Sequence, residues 1–209
     1  MGFNKLVGVA AVSLILTGCQ SVPPLNFSVP DVGYTQKKVD ADLKSITVSL
    51  ARPDEKTGEI PAAAGVAVPP LWQTAVVEAL NRMAVFKDDS TIKVNLSVKV
   101  LKLDVPSVGV NFETHTEAKY ELINRANGDI IYTQNISSVG STPMSYAMLG
   151  AARQVESVNR SVQNNITQFL QALDSIDPAK PMFPASSAIK APAGGDAKPE
   201  QATPKVSQK

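Results

Sequence analysis

The stretch that decides the fold is Val110–Ser138, VNFETHTEAKYELINRANGDIIYTQNISS, which reads as two strands joined by a tight turn. The Asn127-Gly128 pair readily supplies the positive φ that a tight hairpin needs. The predicted strands are 110–122 and 130–138. Alternation in the first strand places five residues on one face: Val110, Phe112, Ala118, Tyr120 and Leu122.

Two more strands precede this hairpin. Residues 92–100 alternate strictly between apolar and polar side chains, and the phase then changes at Leu101. A pattern of period two that slips by one residue predicts a β-bulge near Val100–Leu101. Residues 44–50 alternate in the same way and predict the first strand. A loop at 54–69 follows it, and loops of this length inside a compact domain are often functional or mobile.

Two segments carry apolar residues at steps of three and four, as amphipathic helices do. The first is 70–86, where Pro70 falls in the first turn and its missing N–H costs nothing. The second is 145–173, roughly 40 Å long at 1.5 Å per residue. The order β-α-β-β-β-α predicts an α+β two-layer sandwich. Its mixed, mostly antiparallel sheet of about four strands carries two amphipathic helices on one face.

The N-terminus resembles a bacterial lipoprotein signal peptide. Lys5 precedes an apolar run at 6–16, which is too short to span a bilayer comfortably. The run leads into Leu16-Thr17-Gly18 and the chain's only cysteine, Cys19. This order resembles the lipobox, which implies cleavage before Cys19, a thioether-linked diacylglycerol on its sulfur, and a fatty acid such as palmitate on the new amine. Two or more acyl chains hold a protein firmly on a membrane.

Two other interpretations of this N-terminus are an ordinary secretory signal with an incidental cysteine and an uncleaved membrane anchor. Ordinary cleavage prefers an Ala-x-Ala site, which argues against the first. Gln20 follows the cysteine, whereas aspartate at that position resembles an inner-membrane retention signal. The expected location is therefore the periplasmic face of the outer membrane of a Gram-negative bacterium.

Composition divides the remaining chain into three parts. Residues 19–34 contain Pro23, Pro24 and Pro30 and are predicted to be an extended tether behind the lipidated cysteine. Residues 177–209 are rich in Pro, Ala and Lys and are predicted to be a disordered tail. One globular domain is predicted at 35–176. The chain without 1–18 is neutral, so nothing suggests nucleic-acid binding.

The sequence offers little for catalysis or for a cofactor. The only histidine, His115, lies on the polar face of its strand between Glu113 and Glu117. Side chains at i and i+2 point the same way, so these three could offer metal ligands. A solvated strand face is the preferred interpretation, because no cysteine or second histidine completes the set. With no Gly-x-Ser-x-Gly turn and no Gly-rich phosphate loop, we expect no enzyme and no metal.

Four aromatic residues are candidates for a ligand groove or an interface: Trp72, Phe112, Tyr120 and Phe169. A core role is preferred for Trp72, which lies on an apolar stripe. The last helix also has an amide-rich polar face. It is predicted to be solvated, with pairing to another protein's backbone or to sugars as the alternative: Gln154, Ser157, Asn159, Arg160, Gln163, Asn164, Thr167 and Gln168.

The lipobox, the element order and the last helix, ARQVESVNRSVQNNITQFLQAL at 152–173, together resemble a loose group of Gram-negative envelope lipoproteins. The group includes the auxiliary lipoproteins of ABC-type lipid transporters, the YajG-like lipoproteins and the lipoprotein that plugs the lipopolysaccharide-assembly barrel. The resemblance covers residues 40–173 and carries over no functional residue. It implies a non-enzymatic accessory or assembly subunit of an envelope transport, secretion or surface-polymer complex, with a protein partner.

Two alternative functions remain at this point. The first is a periplasmic carrier of a lipid or another small ligand, which predicts an unfilled apolar cavity near the four aromatic residues. The second is an enzyme of envelope polymers, for which His115, Glu113 and Glu117 are the best available site.

Overall fold

The computed structural model describes residues 21–176, which form one four-stranded sheet and two long helices. The predicted signal peptide, Leu16, Thr17, Gly18, Cys19 and the predicted tail at 177–209 lie outside these residues. The predicted order and the α+β class are confirmed by the observed elements: β1 Asp42–Leu50, α1 Ala64–Met83, β2 Lys93–Asp104, β3 Phe112–Asn124, β4 Ile130–Thr142, a 3-10 turn at Met144–Tyr146, and α2 Gly150–Asp174.

The strands lie in the order β1-β2-β3-β4. Strands β1 and β2 are parallel because α1 crosses over between them, whereas β2, β3 and β4 form an antiparallel meander. The register of β2 on β3 shifts between Val100 and Lys102, so the predicted bulge is confirmed. Val110 was predicted on the buried face, but it lies before β3 and is 66% exposed.

Both helices pack on one face of the sheet, here termed the inner face, and a single apolar core fills the space between them. Trp72 of α1 is fully buried and meets Phe27 edge to face, with ring centroids 6.4 Å apart. Alternate residues of β2 point into this core because side chains of a strand alternate between its faces: Val94, Leu96, Val98 and Val100.

Helix α1 begins earlier and ends earlier than predicted. It starts at Ala64 and contains Pro69 and Pro70, each of which removes one backbone donor from the helix. Burial of Val68, which is 1% exposed, helps to hold this first part of the helix in place. The helix ends at Met83 because Ala84 adopts a left-handed conformation (φ 51°), and its N–H donates to the Leu80 carbonyl.

Helix α2 begins at Gly150, five residues later than predicted. Residues 147–149 do not continue a helix, because the Arg153 side chain donates to the carbonyl oxygens of Ala147 and Met148. Met148 was predicted on the apolar stripe, yet its side chain is 88% exposed. The buried stripe starts instead at Ala152.

The segment before β1 is packed against the domain, which differs from the predicted tether at 19–34. Phe27 and Val29 are 2% and 7% exposed and belong to the core. The backbone N–H of Asn26 donates to Oδ1 of Asn159 (2.9 Å), and the Asn159 amide donates to the Pro24 carbonyl (3.2 Å). The packed domain therefore begins near Pro24 rather than at residue 35. The difference arises because Leu25, Phe27 and Val29 form a short alternating apolar run.

No helix within residues 21–176 is both long enough and apolar enough to cross a bilayer.

Candidate interaction surface

The side of the sheet opposite the helices, here termed the outer face, is mostly made of small polar side chains. Most residues at the outward positions of the four strands are exposed or half-buried, whereas Glu121 is buried. Hydroxyl and amide groups predominate among them, and Lys119 and Glu121, neighbours on this side of β3, form an ion pair (2.7 Å). The face comprises Ser45, Thr47, Ser49, Asn95, Ser97, Lys119, Glu121, Thr133, Asn135 and Ser137.

The long loop between β1 and α1 covers one end of this face. Lys99 donates to Glu55 (2.8 Å), and the Thr57 hydroxyl donates to Glu117 (2.7 Å). The hydrogen bond from Lys99, followed by one from the Arg52 backbone, lowers the pKa of Glu55 from 4.5 to about 2. The loop was predicted to be functional or mobile, and these bonds fasten its first part to β2 and β3.

Strand β1 forms one edge of the sheet. Within residues 21–176, no further strand pairs with its outer side. An unpaired edge presents backbone N–H and C=O groups that can pair with a strand of another protein. The last part of the opposite edge, β4, is occupied, because Asn164 and Arg160 of α2 donate to the carbonyl oxygens of Val139 and Ser141 (2.8 and 2.9 Å).

The row around His115 also lies on the outward side of β3. His115 and Glu113 are exposed, and Glu117 already accepts a hydrogen bond from Thr57. Among the described residues, no group of three or more His, Cys, Asp and Glu side chains is arranged to hold a metal ion.

The four candidate aromatic residues do not line one groove. Tyr120 and Phe169 stack with ring centroids 4.0 Å apart, and they are fully buried, as is Trp72. Burial raises the pKa of the Tyr120 hydroxyl above its ordinary value. Phe112 lies eight residues along β3 from Tyr120, about 27 Å away at the usual rise per residue. Its ring instead contacts the Arg153 guanidinium, 5.5 Å from the ring centroid.

The amide-rich face of α2 was predicted to be solvated, but much of it binds this chain's own backbone. Asn159 and Gln163 bind the N-terminal segment, and Gln154 donates to the Pro106 carbonyl at 2.8 Å. Each of these amides therefore makes at least one hydrogen bond within the chain.

The same helix contacts β3 and β4 through a buried row of polar pairs, here termed the polar ladder. Its hydroxyl and amide groups are almost completely buried. The rungs are Thr114–Ser157 (2.8 Å), Thr116–Ser161 (2.6 Å), Tyr120–Asn165 (2.9 Å) and Asn165–Ile136 O (2.8 Å). The signal in the sequence was available but missed: Ser157, Ser161 and Asn165 recur every four residues, and Thr114 and Thr116 share the face of Tyr120.

Gly140 allows this close contact. A Cβ at this position would lie 2.2 Å from the Ser157 carbonyl oxygen and 2.2 Å from the Ser161 nitrogen. Both are backbone atoms of α2, so neither can move aside without moving the helix. Gly140 therefore fixes how closely α2 approaches β4, which also lets α2 side chains reach the β4 edge.

No protein-family model and no curated protein matches this chain. Similar solved structures include protein XCC0632 from Xanthomonas campestris, which is 15% identical, covers 73% of this chain and 96% of its own, and has a TM-score of 0.44. Protein CT253 from Chlamydia trachomatis is 8% identical over 64% and 95% of the two chains, with a TM-score of 0.43. A minor lipoprotein from Acinetobacter baumannii is 11% identical over 63% and 92%, with a TM-score of 0.40. Similarity at this level identifies neither a family nor a function.

Proposed function

We propose that this protein is an outer-membrane lipoprotein facing the periplasm, which acts as a non-enzymatic accessory subunit of an envelope assembly. The lipid on Cys19 fixes it to the membrane, and the domain then works by binding a protein partner. Cleavage, acylation and location are inferred from the lipobox at Leu16–Cys19 together with Gln20.

The observation that carries the proposal is a short connection between that cysteine and an open sheet. Packing against the domain begins near Pro24, only five residues after Cys19. The helices occupy the inner face, which leaves the outer face and the β1 edge accessible to a partner. A strand added to β1 would gain backbone hydrogen bonds for affinity and alternate side-chain contacts for specificity.

The internal packing supports contact rather than transport of a ligand as the mode of action. Trp72, Tyr120 and Phe169 fill the space between sheet and helices, where a lipid carrier would need room. The carrier hypothesis therefore lacks the cavity that it predicts at these residues.

Photo-crosslinking in the native envelope tests the proposal. A photoreactive phenylalanine analogue would be placed at Thr47 on the β1 edge and at Asn135 on the outer face. Gln73, an exposed position on α1, serves as the matched control on the opposite side of the domain. Adducts of one discrete mass at Thr47 or Asn135 but not at Gln73 are expected, and Cys19→Ser should abolish them.

Two results would contradict the proposal. The first is the same set of adducts from all three positions, since that indicates random collision. The second is an adduct that persists at full yield in the Cys19→Ser variant, since the partner would then not depend on the lipid anchor.

A further inference from the structure

One end of the molecule exposes six large apolar side chains on two loops, here termed the apolar tip. The β2–β3 loop at 105–111 and the β4–α2 connection at 143–149 contain no charged residue. Clustered apolar exposure of this kind usually marks a contact surface. The exposed fractions are 83% for Val108, 66% for Val110, 58% for Met144, 43% for Tyr146, 88% for Met148 and 41% for Leu149.

The two loops lie side by side at the same end of the sheet. Phe112, the first residue of β3, pairs with Thr142, the last residue of β4, so both loops leave the sheet together. The backbone N–H of Met144 also donates to the Asn111 side-chain oxygen (3.3 Å). The six side chains therefore belong to one surface rather than to two separate loops.

Helix α2 fixes both loops in position. Gln154 donates to the carbonyl oxygen of Pro106 in one loop. Arg153 donates to the carbonyl oxygens of Ala147 (2.6 Å) and Met148 (2.9 Å) in the other. The backbone of the apolar tip is thus held by hydrogen bonds while its side chains remain exposed.

The N-terminal segment runs along α2 toward this same end. The Thr35 hydroxyl donates to Asp174 at the end of α2 (2.6 Å), whereas Asn26 and Pro24 contact Asn159 in its first half. Followed backwards from residue 35 to residue 24, the chain therefore moves toward the start of α2.

The anchor can reach the apolar tip. Five residues separate Pro24 from Cys19, which is a span of at most about 17 Å. Nine residues separate Asn159 from Gly150, or about 13 Å along the helix axis. Cys19 can accordingly reach the level of Gly150, where α2 begins beside the apolar tip.

We propose that the apolar tip is a membrane-contact surface that enters the lipid interface next to the acyl chains of Cys19. This inference rests on the proposed lipid anchor and adds an orientation to it. Valine, leucine and methionine side chains gain from leaving water at the boundary between headgroups and acyl chains, and tyrosine suits the same depth. Beside the Tyr146 ring lies the Arg160 guanidinium (5.4 Å), whose charge is paired with Glu156 (2.8 Å).

The bilayer is favoured over a second copy of the chain because the proposed anchor is short enough to hold this end at the lipid surface, whereas no described feature brings a copy there. The far end of α2, at Asp174, lies about 36 Å from Gly150 along the helix axis. In this orientation the C-terminal end of α2 points away from the membrane.

Fluorescence of the full-length acylated protein in vesicles of phosphatidylethanolamine and phosphatidylglycerol tests this orientation. Acylation consumes the only native thiol, so a single introduced cysteine can carry a polarity-sensitive nitrobenzoxadiazole dye. Val108→Cys and Met148→Cys place the dye on the two loops. Ala126→Cys, in the exposed β3–β4 turn at the opposite end of the same strands, is the matched control.

A nitroxide on the lipid acyl chains should remove most of the fluorescence at 108 and 148 and leave that at 126 unchanged. Emission at 108 and 148 that matches the control would overturn the orientation. A blue shift that nitroxide lipid does not quench would also overturn it, because a protein contact would then cover the apolar tip. The mass of the N-terminal peptide of the same sample separates these failures from failure of the anchor, which an unmodified Cys19 would reveal.

Discussion

Helices α1 and α2 lie on the same face of the same sheet, yet they contact it through different chemistry. Helix α1 uses Trp72, Val76 and Leu80 against the inner residues of β2. Helix α2 adds the polar ladder and approaches β4 so closely that only Gly140 fits between them. Apolar packing tolerates adjustment, whereas a buried polar row requires every partner to be in place. The α2 side should therefore be less tolerant of small changes.

The largest effect is expected on the α1 side, because Trp72 is the largest of the fully buried side chains among the described residues. Trp72→Ala should lower the free energy of unfolding by about 3–5 kcal/mol, because it leaves a large cavity in the core. Denaturant unfolding of the full chain measures it. Val66→Ala, on the same helix but at an 85% exposed position, is the control. Equal losses from the two variants would show that Trp72 is not a core anchor.

A single added methyl group should have a comparable effect on the α2 side. Gly140→Ala should cost about 3 kcal/mol, because the new Cβ meets two backbone atoms of α2. Gly33→Ala is the matched control, since nothing lies within 4 Å of a Cβ at that position. A Gly140→Ala protein with unchanged thermal unfolding would disprove the close approach of α2 to β4.

The polar ladder should behave as a coupled unit. Asn165→Leu leaves the Tyr120 hydroxyl and the Ile136 carbonyl oxygen without their partner, at a cost of about 1–3 kcal/mol. Adding Tyr120→Phe should cost less than it does alone, because the unpaired hydroxyl is then removed. A double-mutant cycle from denaturant unfolding measures this coupling. Strictly additive losses would mean that the rungs act independently.

The smallest effect concerns acid pH, and it should arise on the α1, β1 and β2 side. Glu55 has its pKa lowered to about 2, and the pKa values of Asp42 and Glu78 are also lowered by partners on this side. A lowered folded-state pKa contributes stability that is complete above the ordinary value of 4.5 and is lost as pH falls toward 2. The hydroxyl and amide rungs of the polar ladder do not titrate in this range.

Unfolding measured between pH 6 and about 2 tests this asymmetry. Glu55→Gln should reduce the loss of unfolding free energy that occurs as the pH falls. Lys99→Met should reduce it by the same amount, because Lys99 supplies the hydrogen bond that lowers the pKa of Glu55 most. The double variant should resemble either single variant. If the unfolding free energy of Glu55→Gln fell with pH as steeply as that of the original protein, Glu55 would not be a source of the acid dependence.

The sequence predicted the sheet better than the ends of the helices. Strict alternation and the Asn-Gly turn located β2, β3, β4 and the bulge, because period two follows directly from strand geometry. Helix α1 was predicted to begin at Pro70, because the burial that holds Pro69 and Pro70 inside a helix is a tertiary effect. Helix α2 was predicted to begin at Ser145, because apolar spacing alone cannot show that Arg153 binds the carbonyl oxygens at 147 and 148.

The structure places the predicted site residues in different surroundings. Trp72 lies in the core, as preferred, and Phe112 is separate from the other aromatic residues. Ser157 was predicted on a solvated face but is completely buried, because the rule that places polar residues outside fails when they pair with one another. The apolar tip was also missed, since valines and methionines in loops look like core residues until the fold shows where they lie.

The most direct test of the account is the mass of the N-terminal peptide of the mature protein, isolated from the envelope of a Gram-negative host. The account predicts a peptide that starts at Cys19 and carries a diacylglycerol on its sulfur and a fatty acid on its amine. A peptide that still contains residues 1–18, or that starts at another residue with an unmodified cysteine, would contradict the account.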